Sequence, residues 1–124
     1  MYSVRIRNHI MIAHSLKDKA FGPAQNMHGA TYVVDAVFSS RELTKENIVI
    51  DIGLAHEVLK KVLKELDYQN LDELPQFKNK LTTTEFLARY IHDQLLEETR
   101  SLFTGVIEVI LGESHVAWAS YKGD

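Results

Sequence analysis

Cysteine is absent from this chain of 124 residues, which excludes disulfides, thiolate metal sites and thiol nucleophiles. That absence suits a reducing compartment, and a cytoplasmic location is the expectation. A basic stripe is missing too. Lys and Arg number 14 against 17 Asp and Glu, giving a net charge of -3 and a pI near 6.1, so nucleic acid is not an expected partner. The densest basic cluster, Lys60, Lys61 and Lys64, alternates with Leu and Val and reads as the solvated face of a helix. No apolar run approaches the roughly 20 residues of a membrane helix, and Arg5, Arg7 and His9 interrupt the N-terminal segment, so neither a span nor a signal peptide is expected. Internal repeats and low-complexity stretches are also lacking.

The residues present are those of an ordinary globular domain. Hydrophobic residues make up 45% and charged residues 25%, and the length suits one domain over residues 1–124. A chain this short buries about two thirds of its unfolded surface. Self-association covering an apolar face or a sheet edge is the natural supplement.

Residues 2–14 alternate, with Val4, Ile6, Asn8, Ile10, Ile12 and His14 on one parity and Arg5, Arg7 and His9 on the other. Period-two alternation predicts a strand. A polar loop over 15–26 leads to a second strand over 27–38, rich in aromatic and β-branched residues. Residues 39–50 read as a turn and a short extended piece. Asp51 is placed to cap a helix whose stripe is Val58, Leu59, Val62, Leu63 and Leu66. After a polar connection over 67–81, Thr82-Thr83-Thr84-Glu85 fits a capping box that opens a second helix near Thr82, with Glu85 reaching back to the Thr82 amide. Residues 104–111 and 115–122 read as closing strands around a Gly112-Glu113-Ser114 turn. The order ββααββ predicts an α+β fold: an antiparallel four-stranded sheet with both helices on one face.

Pairing of the first two strands would bring His14 and His28 together, where two imidazoles could hold zinc. Single histidines are more often surface or satisfied core groups, and spacing identifies no third ligand. Glu113 could accept paired N–H donors from an amino-pyrimidine ring, or stand as a solvated turn residue. The Thr82–Glu85 stretch serves as a helix cap and also offers amides to a polar ligand. Asp67 sits unfavourably for the helix dipole. His56 and His92 read as surface helix residues, His9 points away from the site, and His115 shares the parity of Glu113.

These pieces occur in an ordered pattern. MIAHSL (Met11–Leu16), MHGATY (Met27–Tyr32), VIDIG (Val49–Gly53), ELDYQNLDELP (Glu65–Pro75), TTTEFLARYIHDQL (Thr82–Leu95) and ILGESHVAWASY (Ile110–Tyr121) span nearly the whole chain. Together they resemble the motifs of the 6-pyruvoyltetrahydropterin synthase / 6-carboxytetrahydropterin synthase family. The resemblance implies the tunnelling or T-fold, with trimers or hexamers, sites between subunits, zinc held by three histidines, and dihydroneopterin triphosphate as substrate. It assigns His14 and His28 as two zinc ligands, places the third on Ala30, and leaves His115 as the replacement candidate. It places the catalytic cysteine on Ala24 and turns the family's Asp-His pair into Asp67-Tyr68, the expected proton-transfer groups. Glu113 matches the pterin anchor, and Thr83 and Glu85 match positions beside the ring. The expected activity is that of a divergent zinc-dependent lyase or isomerase acting on a pterin or related heterocycle, with the standard reaction impaired. A non-catalytic pterin- or purine-binding protein with a vestigial metal site is the alternative, and a purely structural assembly protein a third reading.

Overall fold

The alternation over the N-terminal segment becomes a long strand, β1 (Tyr2–His14), in the computed structural model, which describes residues 1–124. Ile6, Ile10, Ile12 and His14 are buried on one face, and Arg5, Arg7, His9 and Met11 are exposed on the other. β2 (His28–Ser40) runs antiparallel to it, in unbroken register from Tyr2↔Ser40 to His14↔His28. The connection between them holds a 3-10 segment, Lys19–Gln25, whose entry is capped by the Asp18 carboxylate accepting from the Ala20 amide.

Both expected α-helices form. α1 (Ile52–Lys64) begins where Asp51 accepts from the Leu54 amide at 3.0 Å, and its inward face carries Val58, Leu59, Val62 and Leu63. α2 (Thr84–Thr99) begins one residue later than a Thr82 cap would place it: the cap is Thr83, whose Oγ1 accepts from the Phe86 amide at 3.1 Å. Thr82 is unavailable because its hydroxyl is buried against His14. Leu87, Ile91 and Leu95 of α2 are fully buried, and both helices lie on the Ile10 face of the sheet within one core that also takes in Tyr32, Phe38, Val109 and Leu111.

The sheet has five strands rather than four, in the order β3-β1-β2-β4-β5. The additional β3 (Gln69–Asn70) is two residues long and runs parallel to β1. Such a short element carries no periodicity to detect, and its place is set by buried Leu71 beside it. Residues 39 and 40 end β2, and residues 41–50 form turns and bends with no further strand, although Val49 and Ile50 are buried. β4 (Val106–Ser114) continues through Glu113, and its register with β5 (Ala117–Lys122) shifts between Gly112 and Ser114. Glu113 therefore sits at a β-bulge, and the chain reverses at His115–Val116. Glycine is required before the bulge, since a Cβ on residue 112 would lie 2.4 Å from the Trp118 indole.

The face without helices is organised by Asp35. Its side chain is fully covered, with Arg7 Nε donating to Oδ1 at 2.7 Å, Arg7 Nη2 to Oδ2 at 3.0 Å and Arg5 Nε to Oδ2 at 2.7 Å. Hydrogen bonding from Arg7 holds the carboxyl below its usual range against the opposing effect of burial, and Arg5 adds to the depression. A carboxyl depressed by folding stabilises the protein above its unfolded value, about pH 4, and that stabilisation is lost as pH falls through the folded value. Asp35→Asn should cost about 2 kcal/mol in urea unfolding at pH 7. It should also flatten the fall in stability below about pH 4, so an acid limb unchanged in the variant would show that Asp35 is not its source.

Candidate functional site

The strand register places His14 directly opposite His28, at the end of the β1–β2 pair. Their rings meet edge to face, 4.6 Å between centroids and 65° between planes. His28 Nδ1 lies 2.8 Å from the Asn26 carbonyl. A carbonyl only accepts, so Nδ1 donates to it and Nε2 is left clear of that contact. His14 is buried, with Nδ1 at 2.9 Å from Thr82 Oγ1. Burial first, and the neighbouring His28 second, lower its pKa, with Asp72 and Thr82 opposing. Both Nδ1 atoms are thus engaged by the protein, the arrangement that orients imidazoles as metal ligands.

The set stops at two. Residue 30 shares a face with His28 and stands opposite Ile12, but alanine has no donor. His115 does not replace it: it lies in the exposed β4–β5 turn, beyond the last β2–β4 pair, Val33↔Gly112. No group of three or more His, Asp or Glu side chains in the chain could hold a metal ion. A catalytic zinc site takes three protein ligands and one open position, so the zinc implied by the motifs finds an incomplete donor set within one chain.

Asp67 and Tyr68 are also apart from the histidines. Asp67 Oδ1 accepts from the Met11 amide at 2.9 Å, and the Tyr68 amide donates to the Met11 carbonyl at 2.7 Å, so the pair closes the edge of β1 just before β3. Tyr68 is held at φ 59°, with 78% of its surface exposed. They line a cavity of about 440 Å³ with Asn8, His9, Lys60 and Lys64, which neither His14 nor His28 reaches.

Glu113 faces a different cavity, of about 200 Å³, with Thr84, Glu85, Ala117, Trp118 and Ala119. Glu113 and Glu85 are brought together as the motifs imply. Thr83 spends its hydroxyl on the helix cap, and Thr84 takes the place in the lining. Tyr32 was not singled out from the sequence. It is almost fully buried, its hydroxyl interacts with Thr84, and burial first, then the Glu113 and Glu85 carboxylates, raise its pKa. Its parity with His28 is the signal that could have marked it, because residues two apart on a strand share a face. Of the remaining histidines, His9 and His56 are exposed as expected. His92 is buried instead, with Nδ1 2.9 Å from Asp93 Oδ1 and its ring edge-on to Tyr121, because the C-terminal strand folds over that part of α2.

A sequence model of the family described as 6-pyruvoyl tetrahydropterin synthase matches residues 3–124. The chain belongs to that family. A 6-pyruvoyl tetrahydrobiopterin synthase of Dictyostelium discoideum is 33% identical over 110 residues, covering 86% of this chain and 78% of that one. A 6-carboxy-5,6,7,8-tetrahydropterin synthase of Aquifex aeolicus is 27% identical, covering 89% of this chain and 82% of that one. Among solved structures, Caenorhabditis elegans 6-pyruvoyl tetrahydropterin synthase matches with a TM-score of 0.86 at 23% identity, over 99% of this chain and 96% of that one. Plasmodium vivax 6-pyruvoyltetrahydropterin synthase matches with a TM-score of 0.79 at 20% identity, over 100% and 99%. At these identities the structural likeness is one of fold, and the fold is the T-fold.

Family membership makes residue 30 directly testable. Purified protein should bind zinc weakly, and Ala30→His should raise zinc affinity by at least about tenfold by supplying the third imidazole. Equal affinities in a chelator-competition titration would refute a two-ligand site.

Proposed function

We propose that this chain binds the ring of a pterin or a related amino-heterocycle at Glu113, as a divergent, lyase- or isomerase-type member of its family. One observation carries the reading: a small cavity in which Glu113 and Glu85 stand together beside Thr84. A carboxylate accepts two parallel N–H donors, as an amino-pyrimidine edge presents them. Buried Tyr32 keeps its proton and interacts through its hydroxyl with Thr84, which lines the cavity. At about 200 Å³ the cavity is smaller than a complete small-molecule site. That favours a site finished by a neighbouring copy in a trimer or hexamer.

In such an assembly, Asp67 and Tyr68 of one copy would serve the histidine pair of another as proton-transfer groups. The outer edge of β1 has no paired strand before Met11, and that of β5 is unpaired throughout, so both edges are available for association. Zinc, the cofactor implied by the motifs, has only His14 and His28 as ligands, and no step is assigned to it. The standard synthase reaction is expected to be impaired, because neither Ala24 nor Tyr68 reproduces the proton chemistry of a cysteine and a histidine near neutral pH.

A second reading, a non-catalytic pterin- or purine-binding protein, is favoured by the use of Asp67. Its Oδ1 already satisfies the Met11 amide, a structural duty that needs no catalysis.

Glu113→Ala should weaken pterin binding about 30-fold or more, read by quenching of pterin fluorescence; unchanged affinity would remove the ring assignment. Turnover of dihydroneopterin triphosphate at about 1 s⁻¹ or faster would contradict the impaired reaction. Any slower lyase activity should be lost in Asp67→Asn if the enzyme reading holds. Activity indifferent to that change would remove the assigned role of Asp67.

A further inference from the structure

On the helix-free face of the sheet the strand register lines side chains up in rows. Register partners share a face, and residues two apart on a strand return to it. The middle row runs from Arg7 through Asp35 to Ile110. In the row on one side Arg5 stands opposite Val37, and in the row on the other Val33 stands opposite Gly112. Gly112 pairs in turn with Trp118, whose indole comes within 2.4 Å of where a Cβ on residue 112 would stand. The ring therefore covers the glycine on this same face. Val33, Val37 and Ile110 are partly buried, and Trp118 is 47% exposed. Two guanidinium groups thus border an apolar strip that ends in an indole.

The cationic end of this strip is fixed in place. Asp35 is fully covered and accepts from Nε and Nη2 of both arginines. Neither Nη1 group is used in those bonds, and the Arg5 and Arg7 side chains are 52% and 60% exposed, so donors remain on the solvent side. Two guanidiniums against one carboxylate leave a single net positive charge. Glu108 and Lys122, register partners further along the Arg5 row, offset each other.

A single carboxylate matches that remaining charge, and its planar pair of oxygens matches guanidinium donors in shape. Because Asp35 already holds the arginines, little side-chain freedom is left to lose when an acceptor arrives. The adjoining apolar strip suits a hydrocarbon body attached to the carboxylate.

We propose that this face binds a small monocarboxylate with an apolar body, its carboxylate on Arg5 and Arg7 and its body along Val33, Ile110 and Trp118. The site is separate from the histidine pair: His14, His28 and Tyr32 take the other parity of β1 and β2, towards the helices. It does not rest on the ring reading above. Association through strand edges uses the rims of the sheet and leaves this face uncovered.

The test titrates octanoate into the full chain, followed by calorimetry and by the emission of Trp118, the one tryptophan. Octanoate should change that emission. Acetate, which lacks the body, and octanamide, which lacks the charge, should each bind about tenfold or more weakly. Arg5→Lys/Arg7→Lys keeps the charge and removes the planar donors, and should lose about tenfold in octanoate affinity. The matched control Arg41→Lys/Arg100→Lys, at exposed positions elsewhere, should stay within about twofold. Asp35→Asn separates a built site from plain charge attraction. Removing that carboxylate raises the local positive charge, so attraction alone would tighten binding, whereas arginines released from Asp35 should bind octanoate about fivefold more weakly. Circular dichroism should show every variant folded. No binding to the native chain, equal losses in the two lysine variants, or unchanged or tighter binding in Asp35→Asn would overturn the site. Octanoate bound without any change in Trp118 emission would overturn the placement of its body.

Discussion

The antiparallel pairing of β1 with β2 governs the rest of the molecule. Its register is unbroken from Tyr2↔Ser40 to His14↔His28, and a slip of β1 by one residue would exchange the two faces of that strand. The slip would expose Ile6, Ile10 and Ile12 and bury Arg5 and Arg7 without Asp35 opposite. The hydrophobic pattern and the Arg–Asp cluster thus enforce the same register from opposite faces of the sheet. The histidine pair is a by-product of that enforcement, since it occupies the last rung.

A second constraint follows at that rung. His14 is buried and needs a partner for Nδ1, and Thr82 supplies it. This moves the cap of α2 to Thr83 and leaves Thr84 in the lining beside Glu85 and Glu113. One hydroxyl thereby sets the phase of a helix and the composition of a cavity. The segment from Thr82 to Glu85 touches both the histidine pair and the Glu113 cavity.

By the motif correspondence, Glu113 and Glu85 fall at the family's ring-side positions, whereas Ala24, Ala30 and Tyr68 fall at its proton-transfer and metal positions. Ala30 stands where a third imidazole would share a face with His28. Asp67 retains its carboxylate but spends one oxygen on the edge of β1, and Tyr68 is turned outward at a positive φ. Binding without the family's usual chemistry, or different chemistry on the same scaffold, is compatible with that pattern.

Much of the architecture was legible in the sequence, because it rests on periodicity and capping. The alternation around Ile10, the stripe of α1 and the Asp51 cap each concern neighbours within a few residues, and the ordered motifs singled out two pairs that the fold brings together, His14 with His28 and Glu85 with Glu113. What depended on distant partners was not legible. The two-residue β3 has no period, His92 is buried where β5 packs over α2, and the bulge at Glu113 lies in the pairing of β4 with a strand that the sequence does not align with it. The setting of Tyr32 and the displaced cap likewise arise from residues far apart in the chain. The sequence by itself determined the family, the T-fold and the pair of histidines, because local pattern sets strand faces and helix ends. Only the tertiary structure decided that the pair has no third ligand within the chain and that Asp67 closes a strand edge, because both depend on which side chains the folded sheet and loops bring within reach.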